Sequence, residues 1–574
     1  AFPSTAKSQS AGAAAPVIAA DNEMQILLQM KAEWGNPPAL SSWTNSSSHC
    51  SSWSGVKCGI DGSVVAISLR KQAIEGGVPV ATCGLKNLSS LDLFNNSLGG
   101  SFPSSLYDCS KLQTLVLSQN LFVGVIPTDV DRLSQLRLLD LSYNNFSGDV
   151  PAAIARIPEL RQLQLDGNLF NGTIPRELGS MAALEYLSLT YNPFTPTRIP
   201  PEFGNMKKLR YLWISGAYLF GEIPDTLGNL TELEHLDLSF NNLNGTIPGR
   251  IWQLEKLRYL YLYNNRLSGE IGAADLGALN LVEVDLSQNK LTGPIPEDFG
   301  KLVSLQLLFL FVNDLSGEIP QGISKIPALK DIRLFDNNLT GVLPPDLGKH
   351  SNLVNFEVFR NRIHGQLPEN LCAGRALNSV SAFENDFTGS IPESLGNCGT
   401  LTNLQVHRNG FFGDVPAGIW SLPNLSTVIM RENALSGELP ETLPSQLSRL
   451  EIGDNRFSGR MPSSSRSLLV LNASNNSFSG DIPSDLTGMS HLQVLLLDRN
   501  QISGEIPAGI GALHSLTDLN LSTNQLTGSV PGTIGSLSML TSLDVSGNRL
   551  SGVIPPEMGQ LRLNFLNLSS NSLT

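Results

Sequence analysis

Phe311, Phe335, Phe359 and Phe383 recur every 24 residues, and His407 and Arg431 continue the series. Rings at a fixed interval do no acid–base or nucleophilic work; they offer flat apolar area, π-faces and anchors for a non-covalent partner. Charged residues of both signs accompany them: Asp331, Arg333, Asp336, Glu357, Arg360, Glu384, Arg408, Glu432, Arg449 and Glu451. In "YLYLYNNRLSGEI", Leu260 and Leu262 read as the buried face of a period-two strand, so Tyr259, Tyr261 and Tyr263 point the other way. Catalytic signatures are lacking: there is no Gly-rich phosphate loop, CxxC, HExxH or GxSxG, and the seven histidines are scattered. The chemistry on offer is binding rather than catalysis, with no cofactor and no metal site.

What positions these residues is a repeat. "LDLFNNSLGGSFP", "LDLSYNNFSGDVP", "LDLSFNNLNGTIP" and "VDLSQNKLTGPIP" are versions of one pattern, LxxLxLxxNxLxGxIP, at about 24-residue spacing. Taking the Asn as register mark gives 22 turns, from Gln72 to Asn571; 20 carry Asn, Gln72 and Ala217 being the exceptions. No spacing exceeds 25, so no folded insertion fits between turns. The pattern is that of a plant-type leucine-rich-repeat superhelix, an α/β repeat solenoid with a parallel concave β-sheet and a convex side of 3-10 and irregular segments. Each turn should supply one short strand and bury its leucines by stacking on its neighbours. The Asn amide both donates and accepts, so it can satisfy backbone groups that a tightly turning interior chain would strand. Ala217 cannot, and it follows the 25-residue turn containing "YNPFTPTRIP", where a local irregularity is expected.

On this grid, side chains six, four, two and one before the Asn should face solvent on the concave sheet. In the nine turns from Asn192 to Asn385, 13 of those 36 positions are aromatic: Tyr186, Tyr191, Tyr211, Trp213, Phe240, Tyr259, Tyr261, Tyr263, Phe309, Phe311, Phe335, Phe359 and Phe383. His235 shares the column of Tyr211 and Tyr259, and the other 13 turns hold only Phe94, Tyr143 and Phe565. Aromatic rungs beside ion pairs suit a peptide groove, with rings as anchors and charges setting register. The candidate contacts are the 13 rings of the middle turns other than Tyr191 and Phe240, with His235, Arg333, Glu357, Arg360, Glu384, Asn403, Gln405, His407, Arg408, Arg431 and Arg449. Truncating Tyr261, Phe335 or Phe359 is expected to weaken binding while leaving thermal stability nearly unchanged. Asp140, Asp237, Asp285 and Asp544 belong to the recurring "DLS" or "DVS" and read as scaffold.

Six cysteines allow three bridges. Cys83 to Cys109 and Cys372 to Cys398 are both 26 apart and sit at matching offsets in their turns, so each pair should staple adjacent turns; Cys50 and Cys58 close the N-terminal cap. Full pairing implies an oxidising compartment. Thirteen N-x-S/T sequons agree with secretion: Asn45, Asn87, Asn95, Asn145, Asn171, Asn229, Asn244, Asn338, Asn424, Asn472, Asn475, Asn520 and Asn567. Asn472, Asn520 and Asn567 fall on the strand face, where occupancy should be partial. Residues 1–20 read as an unfolded leader or remnant. Residues 21–63 form the cap, opening on a helix with Asp21 as N-cap and Leu27, Met30 and Trp34 facing inward; 64–574 form the solenoid. Because the chain stops at Thr574 inside its last turn, with no run of about 20 apolar residues, it reads as a fragment of a longer protein. A net charge of −13 argues against a nucleic-acid partner.

The "WSGVKC" cap, the LxGxIP turns and "LYDCSKLQTLVLSQN" make residues 21–574 resemble ectodomains of plant leucine-rich-repeat receptor kinases. "NPFTPTRIPPEFGNMKKLRYLW", "LPENLCAGRALNSV" and "GNCGTLTNLQV" are similar to the HAESA-like, peptide-binding subgroup. The resemblance implies a single-pass protein anchored by a transmembrane helix, with a cytoplasmic Ser/Thr kinase beyond it. It implies a secreted peptide on the concave face, of the cysteine-containing CTNIP or SCREW class, and a co-receptor of the somatic embryogenesis receptor kinase (SERK) type near the C-terminal turns. One departure stands out: where that group carries Arg-x-Arg to hold a peptide's C-terminal carboxylate, this chain has Asn403 and Gln405. A receptor-like protein without a kinase, recognising a pathogen or cell-wall protein, would have the same solenoid.

Overall fold

A computed structural model describes residues 15–574 apart from Ala274, with side chains from residue 22 onward. Within LxxLxL the leucines point into the turn and the residues between them point out, so each turn opens on a three-residue strand. Of the described residues, 15–267 and 275–278 make one compact unit, and 268–273 and 279–574 the other. In the first, Val64–Ser68 pairs antiparallel with Val56–Cys58 of the cap and parallel with Ser90–Asp92, and the ladder runs in constant register through Tyr186–Ser188, Tyr211–Trp213 and His235–Asp237 to Tyr259–Tyr261. In the second, Glu283–Asp285 starts a parallel ladder that passes through Asp331–Arg333, Asn355–Glu357, Ser379–Ser381 and Asn403–Gln405 and ends at Phe565–Asn567. The inward leucines, Leu260 and Leu262 among them, are fully buried. Each is held by the turns on either side rather than by a central core.

The Asn of each turn does what its chemistry requires. Asn144 donates from Nδ2 to the carbonyls of Leu117, 3.0 Å, and Leu141, 3.1 Å, while its Oδ1 accepts the Phe122 N–H at 3.0 Å. Ala217 leaves the expected gap. The Phe194 N–H, which an Asn at 217 would receive, turns back to the Asn192 carbonyl at 2.9 Å, and Asn241 takes a double load, its Oδ1 accepting from both Ala217 N and Leu219 N.

The residue just before the Asn takes left-handed backbone in turn after turn, with φ of 52° at Tyr143 and Phe240 in the first unit and 52–54° at Arg360, Glu384 and Arg408 in the second. Side-chain-bearing residues tolerate this conformation only where surroundings enforce it. Here the next turn does so: the N–H of Phe240 donates to Tyr263 O, and that of Arg360 to Phe383 O, both at 3.0 Å.

Two expectations need correcting. Turns carry a second short strand after the Asn, such as Ser97–Gly100, Leu121–Gly124 and Asn145–Gly148, paired in parallel. The 3-10 segments then begin after a proline, as Pro201–Asn205 does after Pro200 at φ −62°. In the irregular turn this second strand shrinks to one bridge, Thr197 to Leu219. The first helix runs Ala15–Glu33, so Asp21 lies inside it and is not its N-cap, and residues 15–20 are helical rather than unfolded; the rest of the 1–20 segment lies outside the described residues. Leu27, Met30 and Trp34 are buried as expected, and Trp34 Nε1 donates to Gly77 O at 2.8 Å.

Three disulfides join Cys50–Cys58, Cys83–Cys109 and Cys372–Cys398, the pairs the spacing suggests, with Cα–Cα distances of 5.4, 4.7 and 5.9 Å. No helix among the described residues is long and apolar enough to cross a membrane.

Candidate ligand-binding face

The ring-bearing strip of the sequence is divided between the two units. In the first, His235 stands at the centre of a cluster. Its ring centroid lies 6.0 Å from Tyr211, 6.1 Å from Trp213, 5.5 Å from Tyr259 and 5.4 Å from Tyr261, with Tyr186 next to Tyr211 at 5.5 Å. Tyr263 meets Phe240 edge-on at 5.1 Å. These rings are half-buried, with Phe240 exposed. Burial raises the Tyr186 hydroxyl to about 12, so it stays a neutral donor. One column outward the charges alternate: Arg161 pairs with Glu185 at 3.3 Å and Arg210 with Glu234 at 2.8 Å, and Arg258 lies over the Tyr259 ring.

In the second unit the phenylalanine column is a continuous stack. Phe311, Phe335, Phe359, Phe383 and His407 follow one another at centroid distances of 4.5, 4.3, 4.3 and 4.3 Å, with planes within 13° of parallel. Phe309 stands beside it, 6.0 Å from Phe311, under the Arg333 guanidinium at 4.7 Å. The stacked faces are occupied by their neighbours, so only ring edges are left for a ligand.

Alternating charge flanks the stack on the left-handed positions. Arg360 bridges Asp336 at 3.6 Å and Glu384 at 3.0 Å, and Arg408 bridges Glu384 at 2.9 Å and Glu432 at 3.1 Å. Arg431 pairs with Glu432 and, at 3.3 Å, with Glu451, which also takes Arg449 at 2.5 Å. On the other side runs a polar track that sequence reasoning missed in part. Asp331 chelates Arg333 through two 3.0 Å bonds and accepts from Asn355 at 2.8 Å, while Glu357 lies 4.0 Å from Arg333. Asn403 Nδ2 donates to Ser379 Oγ at 2.9 Å, and Gln405 Nε2 to Asn403 Oδ1 at 3.0 Å. Asn355, Ser379 and Ser381 occupy the same grid columns as the named candidates, a signal that could have found them. The recurring aspartates are scaffold: Asp140, Asp237, Asp285 and Asp544 each accept the N–H and hydroxyl of the serine two residues on. Asn472, Asn520 and Asn567 likewise accept the N–H of the serine two residues on.

His407 is buried, and its Nδ1 has no hydrogen-bond partner among the described residues. Burial, helped by the Arg431 charge, pushes it down to about 4, and burial alone does the same to His235. Both are therefore neutral in the fold at pH 6, whereas the unfolded chain takes up protons below about 6.5. Stability from each is full above that pH and lost as pH falls toward 4, by roughly 2 kcal/mol between pH 7 and pH 5. Asp166, Asp237 and Glu357, raised by burial, act with opposite sign. The comparison is thus His407→Gln against the parent: chemical denaturation at the two pH values should show the variant losing about 2 kcal/mol less, and equal losses would mean that His407 is protonated in the fold.

Comparison with known proteins places this geometry. A leucine-rich-repeat N-terminal domain matches residues 20–59, and one leucine-rich-repeat model matches five stretches, among them 86–146, 207–267 and 507–550. Over 75 residues, 13% of this chain, it is 43% identical to receptor-like protein kinase HSL1 of Arabidopsis thaliana, and that stretch spans 8% of the kinase's length. The Arabidopsis receptor kinase HAESA, solved in complex with the peptide hormone IDA and the co-receptor SERK1, superposes with a TM-score of 0.93 at 39% identity, covering 96% of this chain and 94% of that one. The plant peptide hormone receptor RGFR1, solved with RGF2, superposes with a TM-score of 0.75 at 32% identity, covering 91% and 95%. The chain belongs to the plant leucine-rich-repeat receptor ectodomains, the family of the HAESA ectodomain.

Proposed function

We propose that this chain is the extracellular part of a plasma-membrane receptor kinase, that it binds a secreted peptide on its sheet face, and that the bound peptide recruits a SERK-type co-receptor to the C-terminal turns. The observation that carries the reading is the pairing of half-buried rings with alternating charge on that face in each unit. It supplies apolar anchors and charged register marks of the kind an extended peptide uses. Kinship with HAESA, solved with a peptide and SERK1, supports the same partners here. Within the HAESA-like group we assign it to the type of the third HAESA-like receptor, with a ligand of the CTNIP or SCREW class and a role in immunity. Titrating the secreted chain calorimetrically with a panel of plant peptides tests this. Tyr261→Ala should weaken the binding peptide by about 1–3 kcal/mol, and an equal loss from Phe94→Ala, far from the clusters in sequence, would dissolve the argument.

The ligand's C-terminus should matter little. Asn403 and Gln405 offer neutral hydrogen bonds that are already turned toward Ser379 and each other. The arginines expected to meet the ligand beyond them, Arg408, Arg431 and Arg449, are all engaged by glutamates. A terminal carboxylate buried there would lack compensation. Amidating the peptide is expected to change affinity less than about threefold, under 1 kcal/mol; a hundredfold loss would show that other cations capture the terminus.

A further inference from the structure

The second unit holds a neutral groove beside the start of the strand that carries Asn403. Ala376, Asn378, Thr400, Thr402, Ser426 and Gln446 line it, and Asn424 stands exposed within it at the head of the sequon Asn424–Leu425–Ser426. Seven residues before the repeat Asn, the first unit places a run of charges: Arg137, Arg161, Glu185, Arg210, Glu234 and Arg258. The same column in the second unit changes character, from Lys330 and Val354 to Asn378, Thr402, Ser426 and Ser448. Charge is thus absent from this column over the turns that surround Asn424.

The hydrogen bonds give the groove its polarity. Thr400 Oγ1 donates to Leu377 O at 2.7 Å and Thr402 Oγ1 to Asn378 Oδ1 at 2.9 Å, so both hydroxyls have spent their protons and present lone pairs outward. The Asn378 amide nitrogen and the Gln446 amide add donors. A floor of short neutral groups that both accept and donate complements the hydroxyls of a sugar, and it has no cation for an anion. Asn424 itself is held: its Nδ2 donates to Gly399 O at 2.8 Å, a bond that the remaining N–H of a glycosylated amide can keep. Asn87 occupies the corresponding position in its turn, but its carbonyl takes the Lys111 ammonium.

We propose that Asn424 carries an N-linked glycan whose first sugars lie in this groove, forming a fixed lateral wall beside Asn403. The three disulfides fit the secretory route that such a glycan requires.

The test uses the full chain secreted from eukaryotic cells. Glycopeptide mass spectrometry should find Asn424 occupied, and native-state digestion with a peptide-N-glycosidase should release its glycan at least tenfold more slowly than those of Asn171 and Asn338, which stand exposed outside the groove. Thr402→Lys, which puts charge and bulk on the floor, should bring the rate at Asn424 up to theirs. An unmodified Asn424, or release at the common rate in the unsubstituted chain, overturns the proposal. So does binding of free N,N′-diacetylchitobiose by Asn424→Gln with no glycan on the unsubstituted chain, which would make the groove an open saccharide site.

Discussion

Asn241→Ala should lower the unfolding free energy by about 3–5 kcal/mol, several times the worth of an ordinary hydrogen bond. Its Oδ1 is the acceptor for two N–H groups, Ala217 at 3.1 Å and Leu219 at 3.0 Å, and its Nδ2 serves Ile214 O at 2.7 Å and Leu238 O at 3.0 Å. All belong to buried residues, so removing the amide strands donors and acceptors that water cannot reach. The turn before it has only Ala217, so the variant would contain two successive turns without an amide. Asn500 provides the comparison: it makes the same kind of contacts, to Ala473 O and Leu497 O and from Phe478 N, but Asn476 and Asn524 on either side are intact. Denaturant unfolding should rank Asn241→Ala well below Asn500→Ala. Equal losses would mean that the irregular turn has found another way to satisfy its backbone.

The next largest effect is expected at Phe359, whose ring lies 4.3 Å from both Phe335 and Phe383. From sequence alone, truncating this ring should weaken binding and leave stability untouched. The structure changes that expectation. Removing the middle rung takes away two stacked contacts and opens the column, so Phe359→Ala should cost about 2–4 kcal/mol of stability as well as affinity. A double-mutant cycle with Phe335→Ala should show a coupling of about 1 kcal/mol. A Phe359→Ala chain that unfolds at the parent's midpoint but binds peptide poorly would restore the earlier view of the rings as free-standing anchors.

Much of this architecture could be read from residue order, because each repeat position has one dominant physical demand. Leu260 and Leu262 had to be inside, and Asn144 had to serve the backbone. The pairs Cys83–Cys109 and Cys372–Cys398 followed from equal offsets along a one-dimensional lattice. What could not be read depends on contacts between turns. The second strand, such as Ser97–Gly100, contains two glycines and no apolar alternation, and it extends only because the next turn presents a matching edge. The left-handed conformation at Arg360 or Glu384 is imposed by a neighbouring carbonyl. The rings of Phe335 and Phe359 could be placed in a column but not turned face to face, since a ring's tilt is set by what stacks on it. For the same reason Arg408 and Arg431 looked available to a ligand until the structure paired them with Glu384, Glu432 and Glu451.

The alternating charges from Asp336 to Glu432 also impose a parity on the chain. Excising the turn that carries Arg408 would set Glu384 beside Glu432, one strand spacing of about 4.8 Å apart, whereas excising two consecutive turns would leave opposite signs facing again. Lengthening or shortening this part of the solenoid is therefore easiest in steps of two turns, and a lineage that changes by one should show a compensating reversal of sign somewhere along the column.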